Sequence, residues 1–201
     1  MIVGGRTRRV LGWTGVVLLG LVLGVGSAVA VLGGWLLPPS GQQVGAWTID
    51  VDRGSRDAGP YLRATTAVQA LLAMDRREAI YFVATEDDDG RLLDADCVYD
   101  LRGADQPAAW WSITLYDGAW LADNSDGHPS LDATSVQREA GPPWAGRLAA
   151  TPGTGVNWIS LRGAERPNLL LRLYVPSAEV LADPAIAPVP RITRVSCGSD
   201  R

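Results

Sequence analysis

Residues 10–37 carry no charged side chain, and only Thr14 and Ser27 among them are polar. A helix needs about 20 apolar residues to cross roughly 30 Å of hydrocarbon, so this run is predicted to span a membrane. Arg6, Arg8 and Arg9 stand just before it, and the next basic residue is Arg53. By the positive-inside rule the N-terminus then stays in the cytoplasm and everything after Leu37 lies outside. The predicted organisation is a cytoplasmic segment 1–9, a transmembrane helix 10–37, a polar tether 38–45 and an exported domain 46–201. A cleaved secretory signal is the alternative, since Ser27, Ala28, Val29 and Ala30 offer an A-x-A arrangement. Against it, a signal core runs about 7–15 residues, and here Trp35, Leu36 and Leu37 continue the apolar run. Gly20, Gly24 and Ala28 form a small-xxx-small stripe, compatible with a weak homodimer or with simple glycine use in a membrane helix.

The chain has 201 residues and a formal net charge of -4, with 18 basic and 22 acidic side chains. Without the three arginines ahead of the apolar run, 15 basic residues face 22 acidic ones, a net charge of about -7. Nucleic acid and anionic lipid surfaces both call for a basic footprint, so neither is an expected partner of the domain. One histidine, His128, excludes a multi-histidine metal site, and two cysteines exclude a four-cysteine zinc site. No metal or cofactor is expected.

The exported part is predicted to be mainly β. Alternating or β-branched runs at 45–51, 80–85, 97–101, 110–116, 156–161, 169–175 and 192–195 read as strands. Between residues 60 and 78, Ala64, Ala67, Val68, Leu71 and Met74 recur at helical spacing, the one clear amphipathic helix. Ser177 is placed to cap a short helix through Leu181, and Pro184, Pro188 and Pro190 rule out further helix. Many short strands with one helix predict a β-sandwich or jelly roll. The acid run 86–89 before Gly90 does not fit a calcium loop and reads as a solvated turn.

Three blocks carry a resemblance. The first is Tyr61, Leu62, Arg63 and Ala64, followed by the strand 79–84 and its Asp-rich turn. The second is the tryptophan-pair strand 110–117 with Asn124 downstream. The third is Asn157 and Trp158, followed by Leu171, Arg172, Leu173, Tyr174, Val175 and Pro176. In these blocks the chain resembles a family of bacterial domains of unknown function, numbered 1214. The resemblance spans residues 46–195 and implies a β-sandwich or jelly-roll module. The anchored form seen here is similar to envelope versions of that family, which places the span in the inner membrane and the domain in the periplasm. The family has no established activity, so the resemblance implies no chemistry.

A Ser-His-acid triad would need His128 as its base, yet His128 sits in a turn with no nucleophile signature beside it. The six tryptophans of the domain are either large core side chains or platforms for sugars and apolar ligands. Arg172 shares a strand face with Leu170 and Tyr174. If that face lines a cleft, Arg172 with Tyr116, Asn124 and Asn157 would bind an anionic or hydroxyl-rich ligand; otherwise Arg172 is a structural arginine bonded to backbone carbonyls. Cys97 and Cys197 are the only cysteines and have one intramolecular connectivity, so a disulfide is predicted in an oxidising compartment. The first functional expectation is a non-enzymatic binding or scaffold module with an envelope protein or glycan as partner. The second is a carboxylate-based hydrolase acting on a glycan.

Overall fold

The computed structural model describes residues 4–32, 41–49, 51–52, 54–55, 58–68, 74–138, 143–153, 155 and 157–198. The chain divides into two units, Met1–Ser40 and Gly41–Arg201. In the first, helix α1 (Gly4–Leu32) is one continuous helix. Its stretch Trp13–Val31 is long and apolar enough to cross a membrane. Inside it Ser27 donates its hydroxyl hydrogen to the carbonyl of Gly24 at 2.9 Å, so this polar group is satisfied within the helix. Residues 33–37 of the predicted span, with Trp35, lie outside the described residues, as do residues 38–40 of the predicted tether.

The second unit is mainly β. Its elements are β1 (Gln42–Val44), β2 (Trp47–Ile49), α2 (Pro60–Val68), β3 (Ala79–Ala84), β4 (Cys97–Gly103), β5 (Ala108–Asp117), β6 (Trp120–Leu121) and β7 (Ser130–Asp132). They continue with β8 (Trp144–Ala149), β9 (Trp158–Ser160), β10 (Pro167–Pro176), α3 (Ala178–Ala182), a 3-10 turn (Pro184–Ile186) and β11 (Arg191–Cys197). A seven-stranded sheet runs β1-β2-β3-β10-β5-β6, with β7 also paired to β5; a four-stranded sheet runs β11-β4-β8-β9. The inner faces bury one continuous core. Leu169, Leu171 and Leu173 of β10 and Trp111, Ile113 and Leu115 of β5 meet Tyr99, Leu101 and Leu148 of the smaller sheet. Trp111 and Trp144 stack across the two sheets with ring centroids 5.6 Å apart. The expected two-sheet sandwich is therefore the fold.

Alternation explains the long strands. Burial follows period two along β4, as a sheet with one face on a core requires, while in β10 Leu170 is also buried, in a small cluster with Ala79 and Tyr81 on the other face. Four of the six domain tryptophans, Trp47, Trp111, Trp144 and Trp158, are buried, so tryptophan does supply the large core side chains. Gly103 makes room for one of them: a Cβ there would lie 2.4 Å from the Trp144 ring.

Several expectations need correction. The amphipathic helix of 60–78 is helical over Pro60–Val68; residues 69–73, with Leu71, lie outside the described residues. Arg76, Arg77 and Glu78 form a turn, because the Asp75 carbonyl accepts from the backbone N–H of both Glu78 and Ala79 and the Asp75 carboxylate accepts from that of Arg77. Gln42, Gln43 and Val44, read as tether, pair with β2 through a tight turn at Gly45, whose φ is +59°. Asp50 and Val156, read as parts of strands, lie outside the described residues. Strands β6, β7 and β8 escaped the sequence reading: two are very short, and β8 reads Trp-Ala-Gly-Arg-Leu-Ala without a β-branched residue. The proline-rich stretch 184–190 does hold one helical element, the 3-10 turn, which starts on Pro184 where a missing N–H costs nothing.

Candidate functional site

The outer face of the larger sheet carries Asn168, Leu170, Arg172 and Tyr174 from β10, opposite in pleat to the three core leucines. Register places Arg172 between Ser112 of β5 and Tyr81 of β3. Its guanidinium reaches diagonally along β5, donating to Thr114 Oγ1 at 3.3 Å and to the hydroxyl oxygen of Tyr116. It also lies over the Tyr116 ring, 5.5 Å from the centroid. Arg172 thus bonds side chains rather than the backbone carbonyls of the structural alternative. One end of this face is closed by Trp110 and Tyr174, whose ring centroids are 5.4 Å apart, with Trp110 Nε1 donating to Thr134 Oγ1 at 3.1 Å.

At the other end, beyond Tyr116, the face opens into a pocket of about 290 Å³ walled by Val83, Leu92, Pro167 and Leu170, with Asn168 and Tyr116 beside them. Two turns hold its walls. The first is the β5–β6 turn at Gly118, where φ is +59°. The Asp117 carboxylate accepts from the backbone N–H of Arg166 at 2.6 Å and of Glu165 at 3.2 Å, and Asn168 Nδ2 donates to the Gly118 carbonyl at 2.8 Å. These bonds fasten the turn to the start of β10.

The second wall comes from the Asp-rich turn, which is not the solvated loop expected from its charge. Asp87 is 2% exposed. Its carboxylate accepts from the backbone N–H of Asp89 and Arg91 at 3.0 Å each and from Arg194 Nε at 2.9 Å. Burial pushes the Asp87 carboxyl up, but the two backbone donors and then the Arg194 and Arg91 guanidiniums outweigh it and hold the group below the usual aspartate value. Asp88 accepts from Arg191 Nε at 2.7 Å and from the Ile192 N–H at 3.1 Å. This clasp to β11 holds Leu92 and Leu93 against the pocket.

Of the four residues read from the sequence as a ligand cluster, Arg172 and Tyr116 come together and the two asparagines are occupied elsewhere. Asn157 accepts from the Gln137 N–H at 2.8 Å and donates to the carbonyls of Gln137 and Ala145 at 2.7 Å each. Asn124 accepts from the His128 N–H at 3.0 Å and donates to the Ser160 carbonyl at 3.3 Å. His128 is exposed, its ring 4.8 Å from that of Trp158. Ser160 is fully buried and donates to Asp126 at 2.7 Å, while Arg162 pairs with the same carboxylate at 3.1 Å. Among the described residues no group of three or more histidine, cysteine or acidic side chains is placed to hold a metal ion.

A glycan hydrolase needs a carboxylic acid whose pKa is raised. Three aspartates of the domain are shifted the other way. Besides Asp87, the Arg138 hydrogen bond lowers Asp105, and burial of Asp132 is outweighed by bonds from Thr134 and Ser135. The pocket residues Asn168, Leu92 and Leu170 were not foreseen as site residues. The one hint in the sequence was the turn Asp117-Gly118, whose contact with β10 is long-range.

The fold and its outer face define a two-sheet β-sandwich domain with a concavity of about 290 Å³ on that face, in a chain that also carries the apolar helix α1. Residues 78–178, half of the chain, match the family described as "Protein of unknown function (DUF1214)", and the chain belongs to that family. The match reaches from just before β3 to α3 and takes in Tyr116, Asn168, Leu170 and Arg172. The crystal structure of a Vibrio parahaemolyticus protein is similar over 70% of this chain, at 19% identity and a TM-score of 0.55. That of an uncharacterised Burkholderia cenocepacia protein is similar over 68%, at 16% identity and a TM-score of 0.48. The chain covers 36% and 34% of those two proteins, about a third of their length. The likeness concerns the fold alone. No curated protein matches the chain.

Proposed function

We propose that this protein is a membrane-tethered binding module of the bacterial cell envelope, fixed in the inner membrane by α1 with its N-terminus in the cytoplasm and its sandwich in the periplasm. Arg6, Arg8 and Arg9 ahead of the apolar stretch support that orientation. The observation that carries the binding role is the pocket beyond Tyr116. It is an apolar concavity with a few convergent polar groups, the usual form of a small-molecule site. Its walls are braced by the Asp117 and Asp87 clasps, so it is formed before any ligand arrives.

Native mass spectrometry of the full chain, purified from its own membranes in lipid nanodiscs, tests this. The wild type should carry a bound small molecule that Leu92→Trp, with an indole filling the mouth, has lost. Leu92 is 70% exposed, so the substitution leaves the core intact. Bare protein mass for both would contradict the binding role.

A further inference from the structure

The polar side of the pocket carries a cation and no carboxylate. Besides Thr85, Tyr116 and Asn168 it is lined by Arg166, and no aspartate or glutamate lines it among the described residues. Other arginines of the domain are engaged: Arg91, Arg138, Arg162, Arg191 and Arg194 each pair with a carboxylate. The guanidinium of Arg166 is exposed and has no acceptor among the described residues. Its position is set by its backbone, which gives its N–H to Asp117 and accepts from the Gly118 N–H at 2.9 Å. Gly118 lies against it at a φ of +59°, a conformation that favours glycine, and a Cβ there would stand 3.0 Å from Arg166 Nη2. Tyr116 accepts from Arg172, so its own O–H remains as a donor whose oxygen is polarised by a cation. Asn168 spends its amide N–H on the Gly118 carbonyl.

A free guanidinium and a hydroxyl donor beside walls of Val83, Leu92, Pro167 and Leu170 describe an amphiphilic ligand with one negative end. A guanidinium fork matches a carboxylate in two parallel bonds, and one such fork balances one charge. The volume of about 290 Å³ lies at the small end of ligand pockets. Resting on the reading of this pocket as a binding site, we infer that its ligand is a small monocarboxylic acid with an apolar body. Arg166 holds the carboxylate, Tyr116 donates a second hydrogen bond to it, and the hydrocarbon lies between Leu92 and Leu170. The site is a cationic spot in a domain whose net charge is about -7, which favours an anion that brings its own hydrophobic driving force over one drawn by long-range field.

The test uses the full chain in lipid nanodiscs with 4-phenylbutyrate and the uncharged 4-phenylbutanol as probes, read on the Leu92 and Leu170 methyl resonances. The acid should give saturable shifts at neutral pH, with affinity at least tenfold above that of the alcohol. Arg166→Gln should remove that preference, bringing the affinity for the acid down to that for the alcohol. Equal binding of acid and alcohol by the wild type, or a preference that survives Arg166→Gln, would overturn the carboxylate assignment and leave the pocket as a site for neutral ligands. Methyls that respond to neither probe would overturn the assignment and the binding role together.

Discussion

Asn157 holds three backbone groups at once, the N–H and C=O of Gln137 and the C=O of Ala145, and it is buried. Truncating it removes the partner of all three; Gln137 and Ala145 are themselves exposed, so water replaces it in part, and each lost hydrogen bond costs about 0.5–1.5 kcal/mol. Asn157→Ala should therefore destabilise the domain by about 1.5–4.5 kcal/mol in denaturant titration. A small change would mean that Asn157 is free for a ligand after all. Asp87 makes a prediction in pH. Its carboxyl titrates below the roughly 3.9 of an unfolded aspartate, so its contribution is complete above that value and is lost as pH falls through the folded pKa. Asp87→Asn should thus destabilise the protein at neutral pH, with the gap to wild type narrowing below about pH 4. Paired denaturation curves across that range check it, and a gap that stays constant would place the effect in packing rather than charge.

At the scale of elements, β11 depends on two attachments besides its ladder with β4. One is the Asp87 and Asp88 clasp already described. The other is the Cys97–Cys197 disulfide, which joins register partners at the end of the β4–β11 pair and closes a loop with a sequence separation of 100. The chain-entropy account gives such a loop up to about 4.7 kcal/mol, so reduction should lower the unfolding temperature markedly and loosen β11 first. Thermal melts with and without reductant, beside the Cys97→Ala, Cys197→Ala double variant, measure this; identical melting temperatures would show that the bond carries no stability. The pairing was legible because two lone cysteines leave one connectivity. Strands β5 and β10 were legible for a similar reason, since apolar residues at every second position, 111, 113 and 115 in one and 169, 171 and 173 in the other, give one face for the core. Strand β8 was not, because its pairing with β4 and β9 comes from where the sheet needs a partner and not from its own residues. Nor was the charged turn at Asp87. A run of acids looks solvated until the arginines that neutralise it arrive from β11, more than 100 residues later.

The candidate site shows the same division for the whole molecule. Arg172 could be picked out because it interrupts an apolar strand, and it does meet Tyr116 on one sheet face. Arg166, Leu92 and Asn168 could not, because a pocket is made where a turn, a clasped loop and a strand end converge, and no local pattern records that. The asparagines illustrate the converse: a polar residue beside a core strand is as readily spent on backbone carbonyls as offered to a ligand. The proposed function joins this domain to one membrane span, and that arrangement is open to direct measurement. Alkaline phosphatase, active only after export, can be fused after Arg201 and assayed in carbonate-washed membranes. The account predicts phosphatase activity retained in the washed membrane fraction. An inactive fusion would put the domain on the cytoplasmic side, and activity confined to the released periplasmic fraction would mean that α1 does not tether it.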